Sequence, residues 1–249
     1  MIREQLDFES ALKMAQQLGY AEKDPTADVE GHDACRKICI LGSLAYGKHI
    51  YPQYVHCSGI SNITLDDVAY AENAGYAIKL IGSVKPAGDG KVSAIVCPRL
   101  VSKTNLLATV DGVYNAIAVT GDGVGDVLFY GQGAGKLPTA SAVVGDIIDC
   151  LKHKDRSVMI SWDDCSDENY VVKYKSVETA MYVRIQAENA EELKGSISEL
   201  FGKLTYIERA NRPDSELAFI TPTMVESEID ANLAILSHSA DIKSKIRLL

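Results

Sequence analysis

The chain has 249 residues, of which 47% are hydrophobic, enough to bury a substantial core in one large domain or two ordinary ones. Its 25 basic and 34 acidic residues give a net charge of −9, which argues against nucleic acid and anionic membranes as partners. No apolar run approaches the roughly 20 residues that cross a bilayer, and residues 1–5 do not resemble a signal peptide.

The six cysteines form no CxxC pair and have no histidine at the spacing of a zinc site. Cys35 and Cys39 lie four residues apart in a predicted helix, so they could flank a metal ion. Free cysteines are so often buried that core packing is the favoured interpretation. We therefore predict no metal site and reduced cysteines, which fits a cytoplasmic protein.

Three helices are predicted in the first 74 residues. Residues 7–20 carry apolar side chains at helical spacing, and residues 33–47 form a second helix after a turn-rich segment. Residues 64–74 form a third, with Thr64 as its N-cap and acidic residues in its first turn.

Strands are predicted for residues 77–84, 91–100, 115–120 and 126–130. The segment Gly121-Asp122-Gly123-Val124-Gly125 indicates a hairpin between the last two, because glycine tolerates the positive φ angles of such turns. Residues 138–150 then form a helix whose alanine, valine and isoleucine content indicates burial on one side. The fold class is α+β, a mixed β-sheet with helices on one face.

A polar stretch of residues 152–175 marks a domain boundary. We predict a first domain at 1–152, with 131–152 as its returning segment, a linker at 153–176, and a second domain at 177–249. The second domain follows the order strand, helix, strand, strand, helix, strand, which is the ferredoxin-like plan.

Charged side chains crowd the segment from residue 19 to residue 37, among them Glu22, Asp28, Asp33 and Lys37. Asp33 and Lys37 stand four apart and can pair on one helix face. Spacing alone favours an ordinary solvated helix start with an i,i+4 pair. The functional alternative is a site that binds a small cation with carboxylates and holds an ammonium on a reacting oxygen.

The same segment, followed by Ile38-Cys39-Ile40-Leu41, is similar to the homoserine dehydrogenase signature G-Y-x-E-x-D-P-x-x-D-[VL]-x-G-x-D-x-x-R-K. Further stretches resemble that family in register and extend the resemblance from residue 1 to about residue 150. They are Gly75-Tyr76-x-Ile78-Lys79-Leu80-Ile81-Gly82, Asn115-Ala116-Ile117, Gly121-Asp122-x-Val124-Gly125, and Gly131-x-Gly133-Ala134-Gly135-x-x-Pro138-Thr139-Ala140-Ser141-Ala142-Val143.

The resemblance implies a reaction and a role for each matching residue. The reaction is the reversible NAD(P)H-dependent reduction of aspartate semialdehyde to homoserine, on the route to threonine, methionine and isoleucine. Glu22 and Asp33 would hold the amino-acid substrate, with Asp28 in the same cluster, and Lys37 would be the catalytic proton donor. A lone G-x-G is weak evidence, but the resemblance implies cofactor contacts at Gly131, Gly133, Ala134 and Gly135.

Homoserine dehydrogenases carry a nucleotide-binding domain ahead of the matching region, and no G-x-G-x-x-G follows a strand near the start of this chain. We expect that domain to be absent from these 249 residues, NAD(P) to bind tightly only to the complete enzyme, and this chain alone to be inactive. The alternative is a non-catalytic regulatory or assembly module of a split or truncated enzyme.

Residues from Met181 onward resemble an ACT domain, a ferredoxin-like unit that binds amino acids and pairs subunits. The turn at residues 186–192 departs from the family's D-x-P-G-V-L pattern, lacking the proline and the early glycine. This departure favours subunit pairing over effector binding. The resemblance further implies a homodimer or higher oligomer through the sheet of residues 77–130.

Overall fold

The computed structural model describes residue 4 and residues 6–154, 161–165 and 167–249. Its helices are α1 (Phe8–Gln17), α2 (Thr26–Val29), α3 (His32–Tyr46), α4 (Leu65–Asn73), α5 (Lys136–Lys152), α6 (Lys194–Phe201) and α7 (Glu226–Leu236). Its strands are β1 (His56–Cys57), β2 (Tyr76–Pro86), β3 (Val92–Ser102), β4 (Tyr114–Gly121), β5 (Gly125–Gln132), β6 (Glu178–Thr179), β7 (Met181–Gln186), β8 (Thr205–Ile207), β9 (Glu216–Ile220), β10 (Met224–Val225) and β11 (Asp241–Leu248). The helices and strands expected from the sequence are confirmed to within a few residues.

One mixed sheet runs through both halves of the chain, in the order β1-β3-β11-β7-β9-β8, with β2 antiparallel to β3 on the other edge. β3 pairs in parallel with β1 near its start and with β11 near its end. The strands β11-β7-β9-β8 are antiparallel to one another, as the ferredoxin-like plan requires. The two predicted domains therefore share a single sheet, because the last strand of the chain joins β3.

Helices cover both faces of this combined sheet: α3 and α4, from the first domain, lie on one face as predicted, and the C-terminal helices α6 and α7 lie on the other. On one face α3 packs on β2 and β3, and α4 covers the C-terminal strands, where Tyr70 meets Leu100 and Tyr182 in a buried cluster. On the other face α6 and α7 enclose a core cluster that includes Phe201 and Phe219. Its β7 residues, among them Val183 and Ile185, alternate along the strand with Tyr182, which faces α4.

Two glycines let α3 approach the sheet closely. A Cβ at Gly42 would lie 2.7 Å from the Ile50 side chain and 3.2 Å from that of Val84. Gly31, just before the helix, has φ +77° and lies against Val96. The position of α3, which carries Asp33 and Lys37, is thus fixed by contacts that larger residues would break.

The second half of the expected linker belongs to the core. Tyr170 and Val171 are buried beside α3, and backbone hydrogen bonds join this segment to Val92. Residues 155–160 and 166 of that linker lie outside the described residues.

Two expectations about residues 114–152 were wrong. β4 and β5 form the expected hairpin but, among the described strands, pair only with each other, as a two-stranded sheet separate from β2 and β3. α5 has no buried residue, because no other part of the described chain packs against its apolar stripe; Ile147 is 54% exposed. None of the helices in the described ranges combines the length and the apolar character needed to span a membrane.

Candidate active site

The acidic segment that follows α1 is held by the end of that helix. Asp7 caps the start of α1 by accepting a hydrogen bond from the Ser10 amide. Near its other end the Gln16 side-chain amide donates to the carbonyl of Glu22 at 2.9 Å. Asp24 accepts bonds from the amide and hydroxyl of Thr26, which lower the pKa of its carboxyl group. These contacts fix the chain direction from Glu22 into α2.

The start of α3 is braced by the segment after β1. The Ile60 amide donates to the Val29 carbonyl at 2.9 Å, and the Ser61 hydroxyl donates to the Glu30 carboxylate. Gly59 is required here, because a Cβ would lie 2.3 Å from the same Val29 carbonyl oxygen. Glu30 and Ser61 lie 31 residues apart, so no local pattern in the sequence predicts their contact.

Asp33 and Lys37 form the expected ion pair, with 2.5 Å between Nζ and the nearer carboxylate oxygen. Both side chains remain open to solvent, at 42% and 61% exposure. Glu22 and Asp28 are exposed on the approach to α3, and within the described ranges their carboxylates have no ion-pair partner. Within the described residues the structure therefore joins Asp33 to Lys37 and leaves Glu22 and Asp28 exposed without a paired cation.

The glycine-rich segment leads directly into α5. Gly135 has φ +119° and precedes α5, whose first turn has no side-chain cap. The Gly133 amide donates to the Val113 carbonyl, and a Cβ at Gly133 would lie 1.6 Å from Asn115 Nδ2. Gly133 is thus packed closely against Asn115, and Gly135 supplies the positive φ with which the chain enters α5.

A cleft of about 320 Å³ connects these two parts of the chain. Tyr20, two residues before Glu22, lines it together with Asn115 and Ala134. The remaining wall comes from α1, from Leu18 just after it, and from Gly112 and Val113. Asn115 is the first residue of the Asn-Ala-Ile stretch that resembles the family, and that resemblance is the sequence feature that points to Asn115. Of the predicted site residues only Ala134 lines the cleft, whose other wall includes Tyr20 at the start of the acidic segment.

Cys35 and Cys39, both free cysteines on α3, are buried core residues, as expected. Burial, together with the neighbouring Cys35, raises the pKa of Cys39 to about 12. A thiol with that pKa stays protonated at neutral pH and is a poor metal ligand. Among the residues that the structure describes, no three His, Cys, Asp or Glu side chains are grouped to hold a metal ion.

Comparison with known proteins decides the family. The family model described as homoserine dehydrogenase matches residues 1–148. The chain belongs to the homoserine dehydrogenase family. A relative, the homoserine dehydrogenase of Neisseria gonorrhoeae, is 36% identical over 242 residues, covering 92% of this chain and 55% of its own length.

Solved structures agree with this assignment over nearly the whole chain. The homoserine dehydrogenase of Thiobacillus denitrificans superposes with a TM-score of 0.83 at 32% identity, covering 98% of this chain and 59% of that one. The S. aureus homoserine dehydrogenase at pH 6.0 gives 0.78 at 34% identity, covering 100% and 61%. Members of the family are oxidoreductases, and this chain spans little more than half the length of such relatives.

Proposed function

We propose that this chain supplies the substrate-binding and proton-donating part of a homoserine dehydrogenase. In the complete enzyme the reaction would be the reversible reduction of aspartate semialdehyde to homoserine, serving threonine and methionine synthesis. The observation that carries the proposal is the Asp33–Lys37 pair at 2.5 Å on the first turns of α3, within the segment that carries the family signature.

Lys37 is proposed as the acid that protonates the substrate oxygen. Reduction of the aldehyde carbon places negative charge on that oxygen, and a nearby ammonium stabilises the charge and then donates its proton. The Lys37 side chain is 61% exposed, so its amine can be reprotonated from solvent after each turnover. Asp33 holds the ammonium in place until substrate arrives.

The carboxylates are proposed to hold the ammonium group of the substrate. A protonated amine attracts carboxylates, and three of them, from Glu22, Asp28 and Asp33, precede Lys37 on the same stretch of chain. Asp33 would then contact both the substrate ammonium and Lys37. This arrangement orients the aldehyde end of the substrate toward the proton donor.

The cofactor of the complete enzyme is proposed to be NAD(P)H, which supplies the hydride. On this chain Gly131, Gly133, Ala134 and Gly135 would form the contact surface for it. The start of α5, which has no side-chain cap, supports this placement, since helix N-termini attract phosphates. The Asn115 side chain packs against Gly133 in this segment.

A Lys37→Ala substitution in the complete enzyme tests the proposal. We expect kcat to fall by about 100-fold or more, the usual contribution of a general acid, with unchanged affinity for NADPH. The exposed Lys203→Ala, which removes a similar charge from the C-terminal half, is the matched control. An equal loss of NADPH affinity and of turnover would remove Lys37 from its proposed role.

A second candidate function is a non-catalytic assembly or regulatory module. The exposed apolar stripe of α5 favours it, because Val144, Ile148 and Leu151 are 53%, 46% and 67% exposed on one helix. In this proposal the C-terminal ACT-like unit and the sheet of β2 and β3 pair subunits into a dimer or higher oligomer. Turnover restored by adding a separate nucleotide-binding domain would favour the enzyme over this module.

A further inference from the structure

A cavity of about 170 Å³, lined by both charged and apolar side chains, lies where β2 and β3 meet the C-terminal unit. Ser83 and Ser93 line it from the two strands, on the face opposite to Val84, which packs against α3. Side chains on a strand alternate between faces, so this cavity opens on the other side of the sheet from Asp33 and Lys37. It is therefore separate from the candidate active site.

Two arginines stand side by side at this cavity. Arg99 on β3 and Arg247 on β11 are register partners in neighbouring parallel strands, and both line the cavity wall. Glu226, the first residue of α7, neutralises Arg247 with two hydrogen bonds, at 2.8 Å to Nε and 2.5 Å to Nη2. One cation of the pair is thus already matched by a buried carboxylate.

Arg99 has no such counter-charge. Its Nη1 donates to the Leu248 carbonyl at 3.0 Å and its Nη2 to the Ser83 hydroxyl at 3.3 Å, both neutral acceptors. Its Nε is buried and finds no acceptor. In the part of the chain that the structure describes, no carboxylate lies within ion-pairing distance of this guanidinium. A partly buried guanidinium without a counter-charge is unfavourable, and an anion bound beside it would relieve that cost.

We propose that this cavity binds a small carboxylate through Arg99. Guanidinium and carboxylate groups match in planar geometry, and each Nη of Arg99 carries one further N–H. The cavity has room for about six waters, which limits the ligand to a small acid. The Ser93 and Thr179 side chains line the same cavity, and at its exposed edge Lys85 adds a positive charge and Glu178 a negative one. Three cations (Lys85, Arg99 and Arg247) against two carboxylates (Glu178 and Glu226) leave the lining with a net charge of +1.

Such a ligand would act at the junction between the two halves of the molecule. The cavity wall combines β2 and β3 with residues 174–179, the start of α7 and β11. A carboxylate bound there contacts elements from both halves and stabilises their arrangement. This site does not use the turn at residues 186–192, where ACT domains differ from this chain.

Thermal unfolding of the purified chain in sodium butanoate tests the inference, with sodium chloride matched for ionic strength and sodium phosphate as a second anion. We expect a saturable rise in melting temperature with butanoate, and at least about a tenfold weaker apparent affinity in Arg99→Gln. Lys243→Gln, which removes an exposed charge paired with Asp241, should bind butanoate as the unmodified chain does.

The inference is overturned by no saturable shift beyond that of chloride, by equal affinity in Arg99→Gln, or by tighter binding of phosphate than of butanoate. If Arg99→Gln does not fold, Lys85→Ala takes its place, since Lys85 is exposed and the change leaves the sheet intact. A weaker apparent affinity of Lys85→Ala for butanoate supports the site, and an unchanged affinity overturns it.

Discussion

Arg184 and Asp67 join the two halves of the protein through a buried ion pair. The Arg184 Nε donates to the Asp67 carboxylate at 2.8 Å, and the two side chains are 7% and 0% exposed. Arg184 lies on β7 of the C-terminal unit, whereas Asp67 lies in the first turn of α4. Arg184 also donates to the Glu216 carboxylate at 2.9 Å, and the Tyr182 hydroxyl donates to the Asp67 carboxylate at 3.0 Å.

Replacing Arg184 with Met should therefore destabilise the fold strongly. The change leaves the Asp67 carboxylate buried without its cation, and we expect a loss of about 3–5 kcal/mol in the free energy of unfolding. Urea denaturation followed by circular dichroism measures this loss. Lys243→Met, which breaks an exposed pair, should change stability by less than about 1 kcal/mol. Equal effects of the two substitutions would contradict a structural role for the buried pair.

Glu216 should make stability depend on pH in the acidic range. Burial alone raises its pKa, but hydrogen bonds from Arg209 and Arg184 outweigh burial and hold the pKa below the ordinary value of 4.5. The folded state thus prefers the ionised carboxylate. Its contribution to stability is present above pH 4.5 and is lost as pH falls below that value toward the folded pKa.

Urea denaturation at neutral pH and at steps below pH 4.5 checks this expectation. Glu216→Gln should be less stable at neutral pH and should lose less further stability on acidification, because it has no carboxylate to protonate. A variant whose stability falls with pH as steeply as that of the unmodified chain would show that other carboxylates dominate. In that case Asp230 is the next carboxylate to replace. Burial raises its pKa, but hydrogen bonds from Lys245 and Lys175 outweigh burial and lower it.

Gly133→Ala should destabilise the glycine-rich segment because of the contact with Asn115. A Cβ would lie 1.6 Å from Asn115 Nδ2, so we expect a loss of about 1–3 kcal/mol. The double variant Gly133→Ala/Asn115→Ala should recover stability, since the clashing amide is removed. Gly145→Ala, in the open interior of α5, should instead stabilise by about 0.5–1 kcal/mol. Failure of the double variant to recover would refute the packing explanation.

The purified 249-residue chain should not oxidise homoserine with NAD(P) on its own. The described residues include the proposed acid and carboxylates, but no strand that ends in a G-x-G-x-x-G turn for a dinucleotide. The assay follows NAD(P)H absorbance, with a complete homoserine dehydrogenase as the positive control. Appreciable turnover by the chain alone would contradict this prediction.

The amino-acid sequence by itself determined the local elements and the family. The Gly121–Gly125 turn fixed the β4–β5 hairpin, and Thr64 with Asp67 marked the start of α4 through a capping box. The spacing of Asp33 and Lys37 gave their ion pair, because i and i+4 share a helix face. Each of these features depends on residues close together in the chain.

Only the tertiary structure decided how distant segments meet. The pairing of β11 with β3, which merges two expected domains into one sheet, joins residues about 150 positions apart. The exposure of α5 likewise depends on what packs against it, which its own apolar pattern does not specify. The surroundings of Arg99, in which no described carboxylate pairs with it, depend on how β2, β3, β11 and α7 come together. Helices, turns and caps are set by sterics and hydrogen bonds between residues near in the chain. Strand pairing and helix burial are set by packing between segments far apart in the chain, which local patterns do not specify.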